Sequence, residues 1–212
     1  MTAQQKEILA RLKKEYGNEV SGLTYHNPYE LVIATILAAQ CTDVRVNIVT
    51  KELFKKYPTA KELARANLSE VEGYIKTCGL YKNKAKNIIA CAQRIMEEYG
   101  GNVPDTMEEL TTLAGVGRKT ANVVLAFAFG KPAFAVDTHV KRVTNRLGFA
   151  RSDNPDIVEK QATAIIPKED WSNAHHWLIW HGRRVCKAQK PLCESCVLVD
   201  ICPEYKKKND SR

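Results

Sequence analysis

LTTLAGVGRKTANVVL, residues 110–125, joins two apolar segments through a Gly-Val-Gly turn. Apolar residues recur at helical spacing on both sides of the turn, which predicts one helix before it and another after it. The glycines permit a tight turn with positive φ, and they leave backbone N–H groups exposed where the second helix starts. Because the helix dipole stands behind those donors, the turn is a candidate site for a phosphate.

The spacing and composition of this segment resemble the helix-hairpin-helix motif, which grips the DNA backbone without reading bases. The candidate DNA contacts are the four turn residues Gly115, Val116, Gly117 and Arg118. A glycine turn between two helices is also compatible with a purely structural role.

Lys119 falls in the first turn of the second predicted helix. The positive end of the helix dipole and the neighbouring Arg118 oppose a further positive charge, so we expect a lowered pKa for Lys119. The resulting neutral amine can attack the sugar carbon of a damaged nucleotide, or the aldehyde of an abasic site, and form a Schiff base. β-Elimination of the 3′ phosphate can follow. The alternative is a plain phosphate-binding lysine.

The segment Val136-Asp137-Thr138-His139-Val140 follows eighteen residues later. Asp137 precedes a helical pattern and is expected to be its N-cap. It is also the only acid of a cationic stretch, so it should stay ionised. A carboxylate there could stabilise an oxocarbenium ion and accept a proton from Lys119 or from water. His139 is a further candidate beside it.

Four cysteines near the C-terminus have the spacing Cys-x6-Cys-x2-Cys-x5-Cys: Cys186, Cys193, Cys196 and Cys202. Their density predicts a metal centre, either an iron–sulfur cluster or zinc, although zinc ribbons usually carry two Cys-x2-Cys pairs. Lys187 and Lys190 lie between the first two cysteines and are predicted to face DNA. The remaining three cysteines, Cys41, Cys78 and Cys91, are expected in the core.

Helix-start signals recur along the chain, whereas alternating strand patterns are scarce, so the sequence predicts an all-α fold. Asn27-Pro28 should start a helix whose apolar run, residues 31–39, makes it the central buried one. Further capping boxes are predicted to begin at Ser69 and Asp105, and a helix to stop at Gly100.

The net charge of +8 is concentrated. Residues 76–94, 111–147 and 182–192 hold fifteen Lys or Arg and a single acid, as a polyanion-binding face requires. Solvated helix faces are the alternative. The longest apolar run is too short for a bilayer, no signal peptide is evident, and seven cysteines are an odd number, so we expect a cytoplasmic protein.

The hairpin with its lysine, the Val-Asp-Thr-His segment and the cysteine spacing together resemble the bacterial endonuclease III family over nearly the whole chain. The resemblance implies a two-domain glycosylase fold. A six-helix domain would span residues 21–131, with the hairpin at about 106–130. Residues 1–20 and 132–212 would form the second domain, with a [4Fe-4S] cluster loop at 186–202.

The same resemblance implies a monomeric base-excision repair enzyme. It would be a bifunctional glycosylase and AP lyase that acts on double-stranded DNA containing oxidised or ring-saturated pyrimidines or abasic sites. Lys119 matches the family nucleophile and Asp137 the catalytic carboxylate.

Three further residues carry over from the family. Gln40 matches a glutamine that fills the gap left by a flipped nucleotide, and Leu80 matches an apolar wedge in the base stack. A polar residue at a helix end and a core leucine are the plainer alternatives. Asp43 is similar to a family acid near the substrate cleft, although after Thr42 it could serve only a helix start.

Two rival functions stay open on sequence. An adenine-type mismatch glycosylase shares the hairpin, the aspartate and the cysteines, but it lacks the lysine and usually has a further C-terminal domain. A non-enzymatic DNA-binding protein that senses redox state through the cluster would leave the pairing of Lys119 with Asp137 unexplained.

Overall fold

The computed structural model describes residues 1–17 and 22–210, and in these ranges the chain forms helices and no strand. The all-α prediction is therefore confirmed. The described helices are α1 (Ala3–Tyr16), α2 (Pro28–Ala38), α3 (Asp43–Lys56), α4 (Ala60–Ala64), α5 (Leu68–Ile75), α6 (Tyr81–Tyr99), α7 (Met107–Leu110), α8 (Arg118–Ala128), α9 (Thr138–Arg146), α10 (Pro155–Thr163), a 3-10 turn (Lys168–Asp170), α11 (Trp171–Arg184) and α12 (Pro203–Asp210).

The chain divides into two units. Ser21–Lys131, here called the hairpin unit, contains α2 to α8, and Met1–Val20 with Pro132–Arg212, here called the cysteine unit, contains the others. The hairpin unit has seven described helices where the resemblance implied six, and two of them, α4 and α7, have only five and four residues. The predicted boundary between residues 20 and 21 lies outside the described residues.

Helix α2 is the buried centre of the hairpin unit, as predicted. The Asn27 side chain accepts a hydrogen bond from the Glu30 N–H at 2.9 Å, and Pro28 occupies the first helical position. Every residue from Tyr29 to Leu37 is buried. A helix that is apolar on all sides gains its free energy of burial only in such a position, which explains why it lies at the centre.

Two predicted helix starts were wrong by one or two residues. Asn67, not Ser69, caps α5 and accepts hydrogen bonds from the Ser69 and Glu70 N–H groups. Thr106, not Asp105, caps α7 and accepts from the Glu109 N–H. Asn, Ser, Thr and Asp cap helices about equally well, so neighbouring candidates cannot be ranked without the backbone around them. Gly100 ends α6 at a φ of +60°, as predicted.

The cysteine unit has its own core, in which the N-terminal helix packs against the C-terminal half of the chain. Ile8 and Leu12 of α1 are fully buried with Phe134, Phe149 and Trp177. A helix from the start of the chain thus closes the core around α9 and α11. Among the described residues, no helix combines the length and the apolar character that crossing a membrane would require.

Candidate active site

The Gly-Val-Gly turn has the tight geometry that its composition predicts. Gly115 has a φ of +79°, and a Cβ built there would lie 3.1 Å from side-chain atoms of both Asn87 and Ile36. The Val116 N–H donates to the Leu113 carbonyl at 3.0 Å, and the Val116 side chain is buried. Val116 therefore holds the turn itself, since neither its side chain nor its N–H is left over for a ligand.

The start of α8 leaves space for a ligand. Gly117 is its N-cap and supplies no side-chain acceptor, so the N–H groups of the first helical turn lack a side-chain cap. A Cβ built on Gly117 would meet nothing within 4 Å. Arg118 and Lys119 are both exposed in this turn. Open space, a helix start without a side-chain cap and two exposed cations are the features on which the predicted anion site depends.

Gln40 and Leu80 share an unusual backbone conformation. Their φ angles are +54° and +58°, in the left-handed region that residues other than glycine rarely adopt. Leu80 is also 61% exposed, although it is apolar, and it starts α6 without a capping side chain. Such strain persists only where the surroundings enforce it and concentrates at functional sites. Leu80 is thus no core leucine, and the plainer alternative for it was wrong.

Asp137 caps α9, as predicted. Its Oδ1 accepts a hydrogen bond from the Val140 N–H at 2.7 Å, and the side chain is half-buried. Among the described residues, no hydrogen bond to the other carboxylate oxygen, Oδ2, is found. The cap therefore fixes the direction of the carboxylate and leaves one oxygen for a reaction.

His139 lies against α11 within the cysteine unit. A Cβ built on Gly182 would be 3.0 Å from the His139 Cβ, so the two helices approach closely at this glycine. The Arg142 guanidinium lies 3.2 Å from His139 Nδ1 and donates to the Gly182 carbonyl at 2.9 Å. His139 is thus held from one side by the arginine one turn further along its own helix.

Asp43 is the first residue of α3, and Thr42 is the N-cap of that helix. An acid in the first turn favours the positive end of the helix dipole, so the helix-start role considered for Asp43 is met. Asp43 also lies directly beside Gly22, where a Cβ would be 2.5 Å from its Oδ2.

All four C-terminal cysteines line one cavity in the cysteine unit. The other lining residues are mostly apolar and include Leu147, Val185 and Val199. Burial, with a contribution from the other cysteines, raises the pKa of the Cys196 and Cys202 thiols. Four soft sulfur donors around a water-poor space are the donor set that an iron–sulfur cluster takes.

Two arginines of α9 hold the first of these cysteines. Arg146 donates to the Cys186 Sγ at 3.3 Å and to the Lys187 and Ala188 carbonyls at 2.8 and 3.2 Å. Arg142 donates to the Cys186 carbonyl at 3.1 Å. Helix α9, whose N-terminus Asp137 caps, therefore binds the cysteine segment through Arg142 and Arg146 in its C-terminal half.

Sequence reasoning missed these arginines and the role of one histidine. Arg142 and Arg146 lie four residues apart, which puts them on one helix face, and that spacing was the available signal. His181 is buried, its Nε2 lies 3.7 Å from the Cys196 Sγ, and its Nδ1 lies 3.1 Å from the Tyr16 hydroxyl. Burial lowers the pKa of His181 to about 4, so the ring is neutral at pH 7.

Lys187 and Lys190 are exposed in the segment between Cys186 and Cys193. Lys190 has a φ of +48°, a further left-handed residue without a glycine. No three His, Cys, Asp or Glu side chains in the described part of the chain are grouped so as to hold one metal ion. The identity of the cofactor therefore rests on the cavity shared by the cysteines and on the family of the chain.

Comparison with known proteins identifies that family. Residues 33–168 match the model of the HhH-GPD superfamily of base excision DNA repair proteins, and residues 186–202 match the iron-sulfur binding domain of endonuclease III. The helical fold, the hairpin and the cysteine segment thus define a helix-hairpin-helix glycosylase with an iron–sulfur cofactor.

The relatives narrow this class further. The chain is 53% identical to endonuclease III of Bacillus subtilis over 88% of this chain and 86% of that protein. It is 51% identical to endonuclease III of Synechocystis sp. over 93% and 90%. A solved structure of a trapped endonuclease III–DNA covalent intermediate matches with a TM-score of 0.91 and 48% identity, over 99% of this chain and 100% of that one.

The chain belongs to the endonuclease III family. It is a base-excision repair enzyme with DNA glycosylase and AP lyase activity, it binds DNA, and it carries a [4Fe-4S] cluster. The two rival functions that the sequence left open are not favoured by these relatives.

The two glycines of the hairpin should respond differently to alanine. Gly115→Ala forces a Cβ onto a left-handed residue against Asn87 and Ile36, and we expect it to destabilise the protein by about 1–3 kcal/mol. Gly117→Ala has room and a φ of −92°, so it should cost less than about 1 kcal/mol but weaken DNA binding on the order of tenfold by occupying the phosphate side of the turn. Urea unfolding and fluorescence anisotropy with a short duplex measure the two effects. Equal stability of both variants would contradict the turn geometry.

Loss of the Arg146 side chain should loosen the cysteine segment. Arg146→Ala removes the donor to the Cys186 Sγ and to two carbonyls, so we expect the purified protein to lose about 1–3 kcal/mol of stability and to retain less iron. Arg151→Ala, an exposed arginine of the same unit, is the matched control for loss of charge. Iron per chain and the visible absorbance after incubation with a chelator test this. Unchanged iron retention in Arg146→Ala would refute the holding role.

Proposed function

We propose that Lys119 is the nucleophile and Asp137 the catalytic carboxylate of this enzyme. The observation that carries the proposal is the exposed Lys119 amine in the first turn of α8, directly after an open turn that supplies no side-chain cap. A phosphate bound by that turn would hold the DNA backbone within one residue of the amine. The related endonuclease III that is captured as a covalent intermediate with DNA supports a covalent mechanism.

In the glycosylase step, the neutral Lys119 amine attacks the sugar carbon that bears the damaged base. The bond between that carbon and the base breaks, and the base leaves with the bonding electrons and takes up a proton. Positive charge develops on the sugar as the bond breaks, and the Asp137 Oδ2 is the carboxylate oxygen available to stabilise it. The amine then loses a proton, for which Asp137 is the acceptor, and the opened sugar forms a Schiff base with Lys119.

In the lyase step, the Schiff base makes the adjacent sugar carbon acidic. Removal of a proton from that carbon expels the 3′ phosphate by β-elimination, which breaks the strand. Water then hydrolyses the imine and regenerates the Lys119 amine. An abasic site enters the same sequence directly, because its aldehyde reacts with Lys119 without a base to be removed.

Gln40 and Leu80 are proposed to fill the space of the extruded nucleotide. Extrusion costs a few kcal/mol of stacking and pairing, so the enzyme needs side chains that replace the lost contacts. Leu80 offers an exposed apolar wedge, and Gln40 offers an amide that can donate and accept hydrogen bonds to the unpaired base. Their left-handed backbone is the kind of strain that a binding role explains.

Arg118, His139, Lys187 and Lys190 are proposed as further contacts to the DNA backbone, and Asp43 as an acid near the reacting nucleotide. The four cysteines Cys186, Cys193, Cys196 and Cys202 are proposed as the cluster ligands. When bound, the cluster organises a loop-rich segment that has little apolar core of its own. Leu198 is the only residue from Lys187 to Cys202 classed as buried.

The proposed substrates are oxidised or ring-saturated pyrimidines and abasic sites in double-stranded DNA. We also propose that the enzyme acts as a monomer in the cytoplasm. The clustered positive charge of its basic stretches favours association with DNA through counterion release.

Borohydride reduction of the Schiff base tests the nucleophile. With an abasic duplex, the wild-type protein should form a stable covalent adduct, and Lys119→Gln should form none, because glutamine has no amine to react. Arg118→Gln, which removes the neighbouring cation, should weaken binding yet still form the adduct at saturating protein. An adduct that persists in Lys119→Gln would refute the assignment, as denaturing gel electrophoresis with labelled DNA would reveal.

Asp137→Asn should preserve the helix cap and remove the proposed catalytic carboxylate. Asparagine caps a helix as well as aspartate does, so α9 and the melting temperature should be preserved. Base removal should fall by about 10²–10⁴-fold, because the variant has no carboxylate to stabilise the sugar cation or accept a proton. Single-turnover rates on a duplex with one ring-saturated thymine measure this. Wild-type rates in a normally folded Asp137→Asn would exclude a catalytic role for the carboxylate.

A further inference from the structure

Two cysteines outside the C-terminal segment lie in adjacent loops of the hairpin unit. Cys41 lies between α2 and α3, and Cys78 lies between α5 and α6. The sequence predicted both as core residues, and this holds for Cys78, which is buried, but not for Cys41, which is half-exposed. Both are free thiols, and Cys41 lies close enough to Cys78 to contribute to the raised pKa of the Cys78 thiol.

The backbone brings the same two loops together. A Cβ built on Gly79 would lie 3.4 Å from the Gln40 carbonyl oxygen, so the residue after Cys78 is in van der Waals contact with the residue before Cys41. The two left-handed residues, Gln40 and Leu80, are respectively one and two residues from these cysteines. Any bond between the thiols would therefore act directly on the strained part of both loops.

The surroundings give the thiols different reactivities. Burial, and next the hydrogen bond with Cys41, raise the pKa of the Cys78 thiol, whereas the positive charges of Lys84 and Arg45 act in the opposite direction. Lys84 is itself buried and donates to the Leu37 carbonyl at 2.9 Å. Cys41 is the half-exposed thiol that a reagent in solution can reach, and Cys78 is the buried thiol of the adjacent loop. Cys91, by contrast, is buried, which raises its pKa to about 12.

We propose that Cys41 and Cys78 form a reversible oxidation site, whose disulfide ties together the loops that carry Gln40 and Leu80 and thereby lowers base excision. The effect on excision rests on the proposed function of those two residues. The oxidant is a low-molecular-weight disulfide such as oxidised glutathione.

The oxidation proceeds through two thiol–disulfide exchanges. The Cys41 thiolate attacks one sulfur of the small disulfide, which forms a mixed disulfide and releases one small thiolate. The Cys78 thiol then loses its proton to solvent and attacks the Cys41 sulfur, which forms the Cys41–Cys78 bond and releases the second small thiolate. Both protein sulfurs are oxidised, and one molecule of the small disulfide is reduced to two thiols. Excess dithiol reverses both steps.

Bond formation must move the loops. Sulfur atoms in a disulfide lie about 2.05 Å apart, which is closer than two thiols that are not bonded, and a disulfide permits only a narrow range of dihedral angles. The buried Cys78 has little room to move, so the change falls mainly on Cys41 and the adjacent Gln40. Displacements of about 1 Å in residues that position a substrate are enough to lower rates by as much as 10²-fold.

The test treats the cluster-containing protein with oxidised glutathione and then blocks the remaining thiols. Peptide mass spectrometry should find the Cys41 and Cys78 peptides linked, with two hydrogen atoms fewer than the separate peptides, and Cys91 unmodified. Excision of a ring-saturated thymine should fall on the order of tenfold and recover with dithiothreitol, while the visible absorbance of the cluster stays constant.

Cys41→Ser removes the half-exposed thiol with little cost to packing, and Cys78→Ala provides a second variant that leaves Cys41 in place. Neither should form the linked peptide, and the activity of each should be insensitive to oxidised glutathione. Absence of the linked peptide in the wild-type protein would overturn the site, and equal excision by the linked and reduced forms would overturn its effect on the loops. If the reduced protein excised no lesion at all, the proposed function would fail, whereas the mass measurement of the disulfide would stand.

Discussion

A left-handed glycine sets the geometry at the start of α8. At Gly115 the chain turns with a φ of +79° in a space that no Cβ could enter without displacing Asn87 or Ile36. Leu113 and Val116 lock this turn from inside, one through its carbonyl and the other through its N–H. The next residues therefore start α8 without a side-chain cap and with two adjacent cations, of which Lys119 is the proposed nucleophile. The proposed anchoring of the DNA backbone and the proposed chemistry both depend on this one turn.

The cysteine unit is organised around α9. Asp137 caps its first turn, and Arg142 and Arg146 further along the same helix bind the carbonyls and one sulfur of the cysteine segment. A helix is stiff along its axis, so the position of the carboxylate and that of the segment are linked mechanically. When bound, the cluster would stabilise the segment against which α9 is held.

Backbone strain and thiols coincide in the hairpin unit. Gln40 and Leu80 adopt conformations that cost of order 1–3 kcal/mol each, and Cys41 and Cys78 lie beside them. The burial of α2 and the hydrogen bond from Lys84 to the end of that helix provide the rigid support that such strain requires. A bond between the two thiols would displace the loops next to these strained residues. Because Gln40 and Leu80 are proposed to replace the extruded nucleotide, we expect oxidation to lower base excision.

The sequence by itself determined the helical class, the hairpin, the cap at Asp137 and the cysteine segment, because each depends on residues close together in the chain. Periodicity, glycine at a turn, a capping acid and ligand spacing are local properties. Only the tertiary structure decided that Gln40 and Leu80 are left-handed, that Arg146 contacts Cys186 and that the loops of Cys41 and Cys78 adjoin. Neither glutamine nor leucine signals positive φ, and the other two contacts join residues 40 and 37 positions apart. Such contacts are fixed by how whole helices pack, which no short segment of sequence specifies.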